Sequence, residues 1–265
     1  MTMINTIGTL EWSRRTGGKL SRKEREAFLK AQVARQAEAI PLDQLPGINA
    51  TDGGKAHMDM DKIRIPDSNV ARHAETLVAE LSPPFLTNHC HRTYLWGSLL
   101  AQHDALRMDE ELFYVASLVH DLGLTEKHFR CNPHIHCFAV EGAMAADEFL
   151  AREGWEQTHR HIIAEAITLH ANPPLLSVEL THGPVAHYLS AGTLCDAFGQ
   201  RASEIPKAAI DEVLRRHPGL GFAEGAIALF GAEAEVHPEG RVAFILTHFG
   251  LGAIFPFETD YPRNA

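Results

Sequence analysis

The spacing of apolar residues constrains this chain more than any other feature. From Asp67 onward, each long segment repeats apolar residues every three to four positions, which is the period of a helix with one buried face. One example is the run Val70, Ala74, Leu77 and Val78. No long segment alternates apolar and polar residues with period two, and no internal repeat of roughly 20 to 50 residues is visible. The pattern therefore predicts an all-α fold.

Capping residues, prolines and glycines divide the sequence into helices. Ser21 followed by Glu24 has the spacing of a capping box and predicts one charged helix near the N-terminus. In the rest of the chain, helix starts are predicted at or near Asp67 or Ser68, Asn88, Asp109, Phe138, Thr158, Pro184 and Pro206, with two shorter helices between Phe222 and Gly250. Gly123 is predicted to end the helix that starts at Asp109.

The composition of the first quarter of the chain suggests how it is organised. The segment 41–66 is rich in proline, glycine and aspartate, which is typical of a linker. We therefore expect an N-terminal extension over residues 1–66, with one charged helix, and a main domain over residues 67–265. A chain of 265 residues is long enough for one sizeable core.

Charge and hydropathy exclude several classes of function. The formal net charge is −10, so the chain has no excess of positive charge to neutralise phosphates, and nucleic-acid binding is not expected. No apolar stretch reaches the roughly 18 residues of a membrane span, and the N-terminus lacks the apolar core of a signal peptide. We expect a cytoplasmic protein that acts on a small molecule, with its four cysteines as free thiols. A homo-oligomer is compatible with the sequence.

The segment His120-Asp121-Leu122-Gly123 is the sharpest local signal for chemistry. It falls where a helix is predicted to end, and there an imidazole and a carboxylate can converge although they are adjacent in sequence. Neutral imidazole nitrogen and carboxylate oxygen are ligands that suit zinc, iron or manganese. A solvated helix end is the alternative interpretation of an isolated His-Asp pair.

A histidine on the preceding helix can complete this site. His89 lies near the start of that helix, and an antiparallel neighbour would bring it beside His120. His91 and His103 compete for the role, but His91 is turned by roughly 200° from His89 and His103 lies several turns further along the axis. We expect only one of the three to meet His120, and we favour His89.

Four motifs together resemble the HD superfamily, and more narrowly its cyanamide-hydratase-like branch. They are N-H-x-x-R at 88–92, H-D-L-G-L-T at 120–125, F-x-V-x-G-A at 138–143 and a late helix with Asp196. The resemblance covers about Asp67 to Gly199, and it implies a helical bundle that chelates one divalent metal through His89, His120, Asp121 and Asp196. Without it, a capping or salt-bridged role for Asp196 would be the more ordinary interpretation.

The same resemblance bears on the number of metals. Members with two metals place a histidine where this chain has Phe138, and the branch often has glutamate where this chain has Ala139. We therefore expect one metal per chain. His134 and His136 lie just upstream and are the alternative donors for a second site.

The predicted activity is that of a metal-dependent hydrolase or hydratase (a lyase), in which a metal-bound hydroxide attacks a small polar substrate such as a nitrile or cyanamide. Zinc is favoured, with iron or manganese as alternatives. Asp121 would steer the water proton and His170 would act as the proton donor, while Lys127 and Arg92 would bind the substrate. The rival hypotheses are an HD-type phosphohydrolase, a di-iron oxygenase and a non-catalytic protein in which the metal is a structural pin.

Overall fold

The computed structural model describes residues 6–38, 58–129, 131–173, 178, 180–249 and 257. These residues form eleven α-helices and no β-strand, which confirms the predicted all-α fold. In chain order the helices are α1 (Leu10–Thr16), α2 (Arg22–Glu38), α3 (Asn69–Leu81), α4 (Pro84–His103), α5 (Glu110–Val119), α6 (Phe138–Arg152), α7 (Gln157–His170), α8 (Pro184–Phe198), α9 (Lys207–Arg216), α10 (Phe222–Val236) and α11 (Arg241–Phe249).

Several helices begin where the capping residues predict. The Ser68 hydroxyl accepts a hydrogen bond from the backbone N–H of Ala71 at 3.2 Å, and the Asp109 carboxylate accepts one from Leu112 at 2.9 Å. The α4 helix begins at Pro84 rather than near Asn88. Proline suits the first turn of a helix, because the N–H that it lacks would have no helical partner there.

The N-terminal segment packs against the rest of the chain. The short helix α1 was not predicted, because residues 1–19 show no clear period; Thr9 caps it, and Leu10 and Trp12 are buried. It contacts α7, and its Trp12 indole also donates a hydrogen bond to Glu24 of α2 at 2.6 Å. Phe28 of α2 packs against Phe244 of α11 with ring centroids 5.6 Å apart. Most of the predicted linker, residues 41–57, lies outside the described residues. The predicted boundary at residue 66 stays a prediction.

A close crossing of α4 and α8 forms the centre of the bundle. A Cβ atom added at Gly192 would lie only 2.2 Å from the backbone carbonyl oxygen of Thr93. The two helices can approach this closely because glycine has no side chain at the crossing point. The crossing brings Asp196 of α8 against His89 and Arg92 of α4.

The end of α5 is built around another close approach. The helix ends at Val119, and Asp121 leaves helical geometry with φ −102° and ψ 13°. Gly123 follows in a short 3₁₀ turn, where an added Cβ would lie 1.9 Å from the carbonyl oxygen of Phe138. Gly123 is thus needed for the contact with α6. The prediction that Gly123 ends the helix was wrong, because α5 already ends at Val119.

The described helices were also compared with the requirements of a membrane span. None of them is both long and apolar enough to cross a bilayer.

Candidate metal centre

Three buried side chains converge at the end of α5. The Nε2 atoms of His89 and His120 are 3.3 Å apart, and the Asp121 carboxylate oxygen Oδ2 lies 3.6 Å from the first and 3.2 Å from the second. Ligands that bind one ion at about 2.1 Å are themselves about 3.0–3.4 Å apart in tetrahedral or octahedral geometry. The separations in the structure are close to this range, so this His-His-Asp cluster could hold a metal ion.

Hydrogen bonds fix which nitrogen of each nearby imidazole faces the cluster. Each of three rings places its Nδ1 atom within hydrogen-bond distance of an oxygen that can only accept, so Nδ1 is the protonated nitrogen of the neutral ring. These contacts are His120 to the carbonyl of Ser117 at 2.8 Å, His170 to the carbonyl of Ile167 at 2.5 Å, and His89 to the Asp196 carboxylate at 2.7 Å. All three Nε2 atoms therefore present a lone pair.

While the three rings are neutral, the result is a buried group of acceptors that face one another. The third ring, His170, directs its Nε2 toward the Asp121 oxygen Oδ1 at 3.5 Å. Buried acceptors that face one another are unfavourable unless a cation or a proton lies between them. A divalent metal would satisfy them, and the mixed imidazole and carboxylate donors suit zinc, iron or manganese.

The pKa shifts in the cluster have the same electrostatic origin. Burial is the largest single effect on Asp121 and would raise its pKa, but His120, His170 and His89 together outweigh it and hold that pKa well below its ordinary value. Burial is the largest single effect on His120 and would lower its pKa, but Asp121 and Cys90 together outweigh it and raise that pKa. Both shifts reflect the close approach of His120 and Asp121, in which each partner favours the charged form of the other.

Asp196 lies on the far side of His89 from this cluster. Its Oδ1 accepts hydrogen bonds from Arg92 Nε at 2.7 Å and from the Trp96 indole at 2.8 Å. Its Oδ2 accepts from Arg92 Nη2 at 2.8 Å and from His89 Nδ1. Burial is the largest single effect on Asp196 and would raise its pKa, but the charges and hydrogen bonds of Arg92 and His89 together outweigh it and lower that pKa. The structure therefore places Asp196 as the partner that orients His89, and does not bring it to the Nε2 side with the other three predicted ligands.

The two predicted substrate-binding cations lie elsewhere. Arg92 is 2% exposed and, besides Asp196, binds the backbone carbonyls of His217 and Pro218 at 3.1 and 3.2 Å. Lys127 is exposed in the segment after the 3₁₀ turn. Neither is among the residues that line the cavity beside the cluster. Their placement gives no support to a role in binding an anionic substrate.

The competing histidines take other positions, as predicted from the helical phase of His91 and from the distance of His103 along the helix axis. His91 stacks on His217 with ring centroids 4.6 Å apart, and His103 contacts Asp104 on the same helix end. The candidate second-site donors also lie apart from the cluster: His136 packs against His237, and His134 is exposed. Phe138 instead packs edge-on against His170, with centroids 5.5 Å apart.

A small cavity of about 60 Å³ opens beside the cluster. Its polar lining comprises His89, Asp121, His170, Asn172 and Thr193. Its apolar lining comprises Leu86, Leu124, Phe138, Ala171, Leu194, Ala197, Phe198, Phe222, Ala226, Leu229, Phe230, Val242 and Ile245. Among these described residues there is no lysine or arginine.

Sequence reasoning missed the contribution of α10. Phe222, its first residue, stacks on the His89 ring with centroids 4.6 Å apart and an interplanar angle of 14°. One turn and two turns later, Ala226 and Phe230 cover the same cavity. The apolar character of α10 was visible in the sequence, but nothing local indicated which surface this helix covers.

Comparison with known proteins does not identify a family for this chain. Neither a scan against protein-family models nor a search of curated proteins finds a match for the chain. The resemblance to the HD superfamily therefore stays an expectation.

Proposed function

We propose that this protein is a metal-dependent hydrolase or hydratase that acts on a small uncharged substrate, with a nitrile or cyanamide group as the reacting function. One observation supports this most strongly. Three imidazole nitrogens and a carboxylate, all of them acceptors when the rings are neutral, converge at the polar end of a small and mainly apolar cavity. This arrangement provides both a place for a cation and space for a substrate beside it.

Zinc is the leading metal, and iron or manganese are the alternatives. A divalent metal bound by His89, His120 and Asp121 would lower the pKa of a bound water from 15.7 toward about 7 and so supply hydroxide at neutral pH. Asp196 would hold His89 in the orientation that directs Nε2 to the metal.

Asp121 and His170 would move a proton in this reaction. Addition of water to a nitrile joins the hydroxyl oxygen to carbon and delivers a proton to nitrogen, and the product rearranges to an amide. The 3.5 Å separation of Asp121 Oδ1 and His170 Nε2 lets this pair hold the proton released by the water. Burial lowers the pKa of His170, so a proton on its Nε2 is readily passed to the nitrogen.

The rival functions fit less well. A phosphoester would bring negative charge into a cavity whose described lining contains no cationic side chain, since Arg92 is engaged by Asp196 and Lys127 lies outside. A di-iron oxygenase would need further donors. Phe138 packs next to His170 at the position where superfamily members with two metals have a histidine. A non-catalytic protein with a structural metal would have the same metal content as an enzyme. Only a measurement of turnover distinguishes the two.

The test joins elemental analysis to a substrate screen. We expect about one equivalent of transition metal per purified chain, and release of an amide or urea from a short nitrile or from cyanamide. Phosphoesters screened in parallel serve as the control for the rival activity. Phosphate release without nitrile turnover would replace the proposal, and two tightly bound equivalents would contradict the mononuclear site.

A further inference from the structure

One polar side chain of the described cavity lining serves neither the metal centre nor another protein group. The hydroxyl oxygen of Thr193 is buried and has no hydrogen-bond partner among the described residues. Thr193 lines the cavity and lies on α8, nearly one turn before Asp196. A threonine in a helix ordinarily satisfies its hydroxyl by bonding back to the preceding turn.

The other polar group on this wall is already engaged. The Asn172 side chain donates to the carbonyl of Ile7 at 3.0 Å and accepts from Arg241 at 3.0 Å. His89, Asp121 and His170 belong to the metal centre. Thr193 is therefore the polar side chain of the described lining that remains available to bind a ligand. A buried hydroxyl without a hydrogen-bond partner is unfavourable, so a ligand that supplies a partner would be stabilised there.

The size and lining of the cavity limit what that ligand can be. A cavity needs roughly 10–15 Å³ to hold one water, so about 60 Å³ accommodates roughly four to six groups of that size. The surrounding wall is aliphatic and aromatic, with Phe198 and Phe230 among its larger members. An apolar wall favours a hydrocarbon body, and the lack of cationic side chains in the described lining disfavours an anion.

We propose that Thr193 determines substrate specificity, and that the substrate is a short aliphatic nitrile with one hydroxyl group on its chain. The nitrile end lies at the metal centre, the methylene groups contact the apolar wall, and the hydroxyl group exchanges a hydrogen bond with Thr193. This inference rests on the proposed function for the nitrile end. The hydroxyl preference depends on the cavity alone.

A pair of isosteric ligands tests the inference. The amides 3-hydroxypropanamide and butanamide, which are the expected products, differ only by hydroxyl against methyl, and their binding to the metal-loaded protein is measured by calorimetry without turnover. We expect wild type to prefer the hydroxylated amide by about tenfold, the value of one neutral hydrogen bond. Thr193→Val should abolish the preference while Thr193→Ser keeps it, because valine preserves shape and serine preserves the hydroxyl.

A second variant shows whether binding occurs in this cavity. Ala226→Leu adds bulk to the part of the lining that α10 contributes and should weaken the binding of both amides together. An unchanged preference in Thr193→Val, or no binding of either amide to wild type, would overturn the inference. Turnover of 3-hydroxypropionitrile and butyronitrile is then measured separately: discriminating binding without any turnover would contradict the proposed function and leave the role of Thr193 intact.

Discussion

Both ring nitrogens of His89 are constrained, and this explains how a histidine in an apolar helix can be ready to bind a metal. Asp196 accepts a hydrogen bond from Nδ1 of His89. In the neutral ring, the lone pair of Nε2 is therefore directed toward His120. Arg92 and Trp96 hold the carboxylate of Asp196 in turn. Partners of this kind fix the orientation of a ligand and raise its basicity.

Asp196→Asn tests that role. The amide keeps the shape of the carboxylate but leaves the buried Arg92 charge unpaired, so we expect metal affinity to fall by about 10- to 100-fold and the free energy of unfolding to fall by about 3–5 kcal/mol. Metal titration and urea unfolding measure the two effects. His187→Ala is the control, since its Nδ1 contacts only the carbonyl of Val178. Loss of metal as complete as in His120→Ala would instead make Asp196 a direct ligand, as the family resemblance implies.

His170→Gln separates proton transfer from metal binding. Glutamine roughly preserves size and can donate a hydrogen bond, but it cannot pass a proton at neutral pH. We expect metal content and fold to be retained and kcat to fall by about 10²- to 10⁴-fold. The measurement is kcat and metal content on one preparation. Wild-type turnover in a fully metallated variant would remove His170 from the mechanism, and loss of metal would make it a ligand.

At the scale of helices, the site depends on how closely α4 and α8 approach. Gly192 lies against the backbone of Thr93, so the distance from Asp196 to His89 and Arg92 is set by glycine rather than by a side chain. The 3₁₀ turn after Asp121 is held against α6 in the same way by Gly123. These contacts position two elements of the metal centre without touching it.

Gly192→Ala tests the helix crossing. Its Cβ would lie 2.2 Å from the carbonyl oxygen of Thr93, and backbone cannot move aside cheaply, so we expect a loss of about 1–3 kcal/mol or more in the free energy of unfolding. Metal affinity should fall with it. Gly231→Ala on α10 is the matched control, because no atom lies within 4 Å of its added Cβ. That change should stabilise by about 0.5–1 kcal/mol, since alanine suits a helix interior better. Equal unfolding midpoints for the two variants would contradict the importance of the crossing.

At the scale of the whole molecule, buried histidines make stability depend on pH. Burial lowers the pKa of His217 to about 4, and burial also lowers the pKa of its stacking partner His91. An unfolded histidine has a pKa of about 6.5, so between these values the unfolded state binds more protons than the folded state. The stabilisation from neutral His217 is therefore present above about pH 6.5 and is lost as the pH falls toward about 4.

We expect the urea midpoint of the wild type to fall between pH 7 and pH 5, and to fall less in His217→Asn. His161→Asn is the control, because His161 is exposed. Both variants are compared with wild type at the same metal concentration, so that loss of metal at low pH is common to all three. A pH dependence that is unchanged in His217→Asn would exclude this histidine as its source.

Local sequence determined the all-α fold and most helix starts, because helical period and capping depend on residues only a few positions apart. The capping bonds of Ser68 and Asp109 show this directly. The cluster of His89, His120 and Asp121 was also predicted, since a helix end and a neighbouring helix are sufficient to suggest that these residues meet.

Only the tertiary structure decided what surrounds that cluster. The packing of Asp196 on the Nδ1 side of His89 depends on the crossing at Gly192, and the covering of the cavity by Phe222 depends on where α10 docks. Both contacts join residues more than a hundred positions apart in the sequence. Neither leaves a periodic or capping signal in the sequence, because the contact is set by how complete helices pack and not by the residues that flank it.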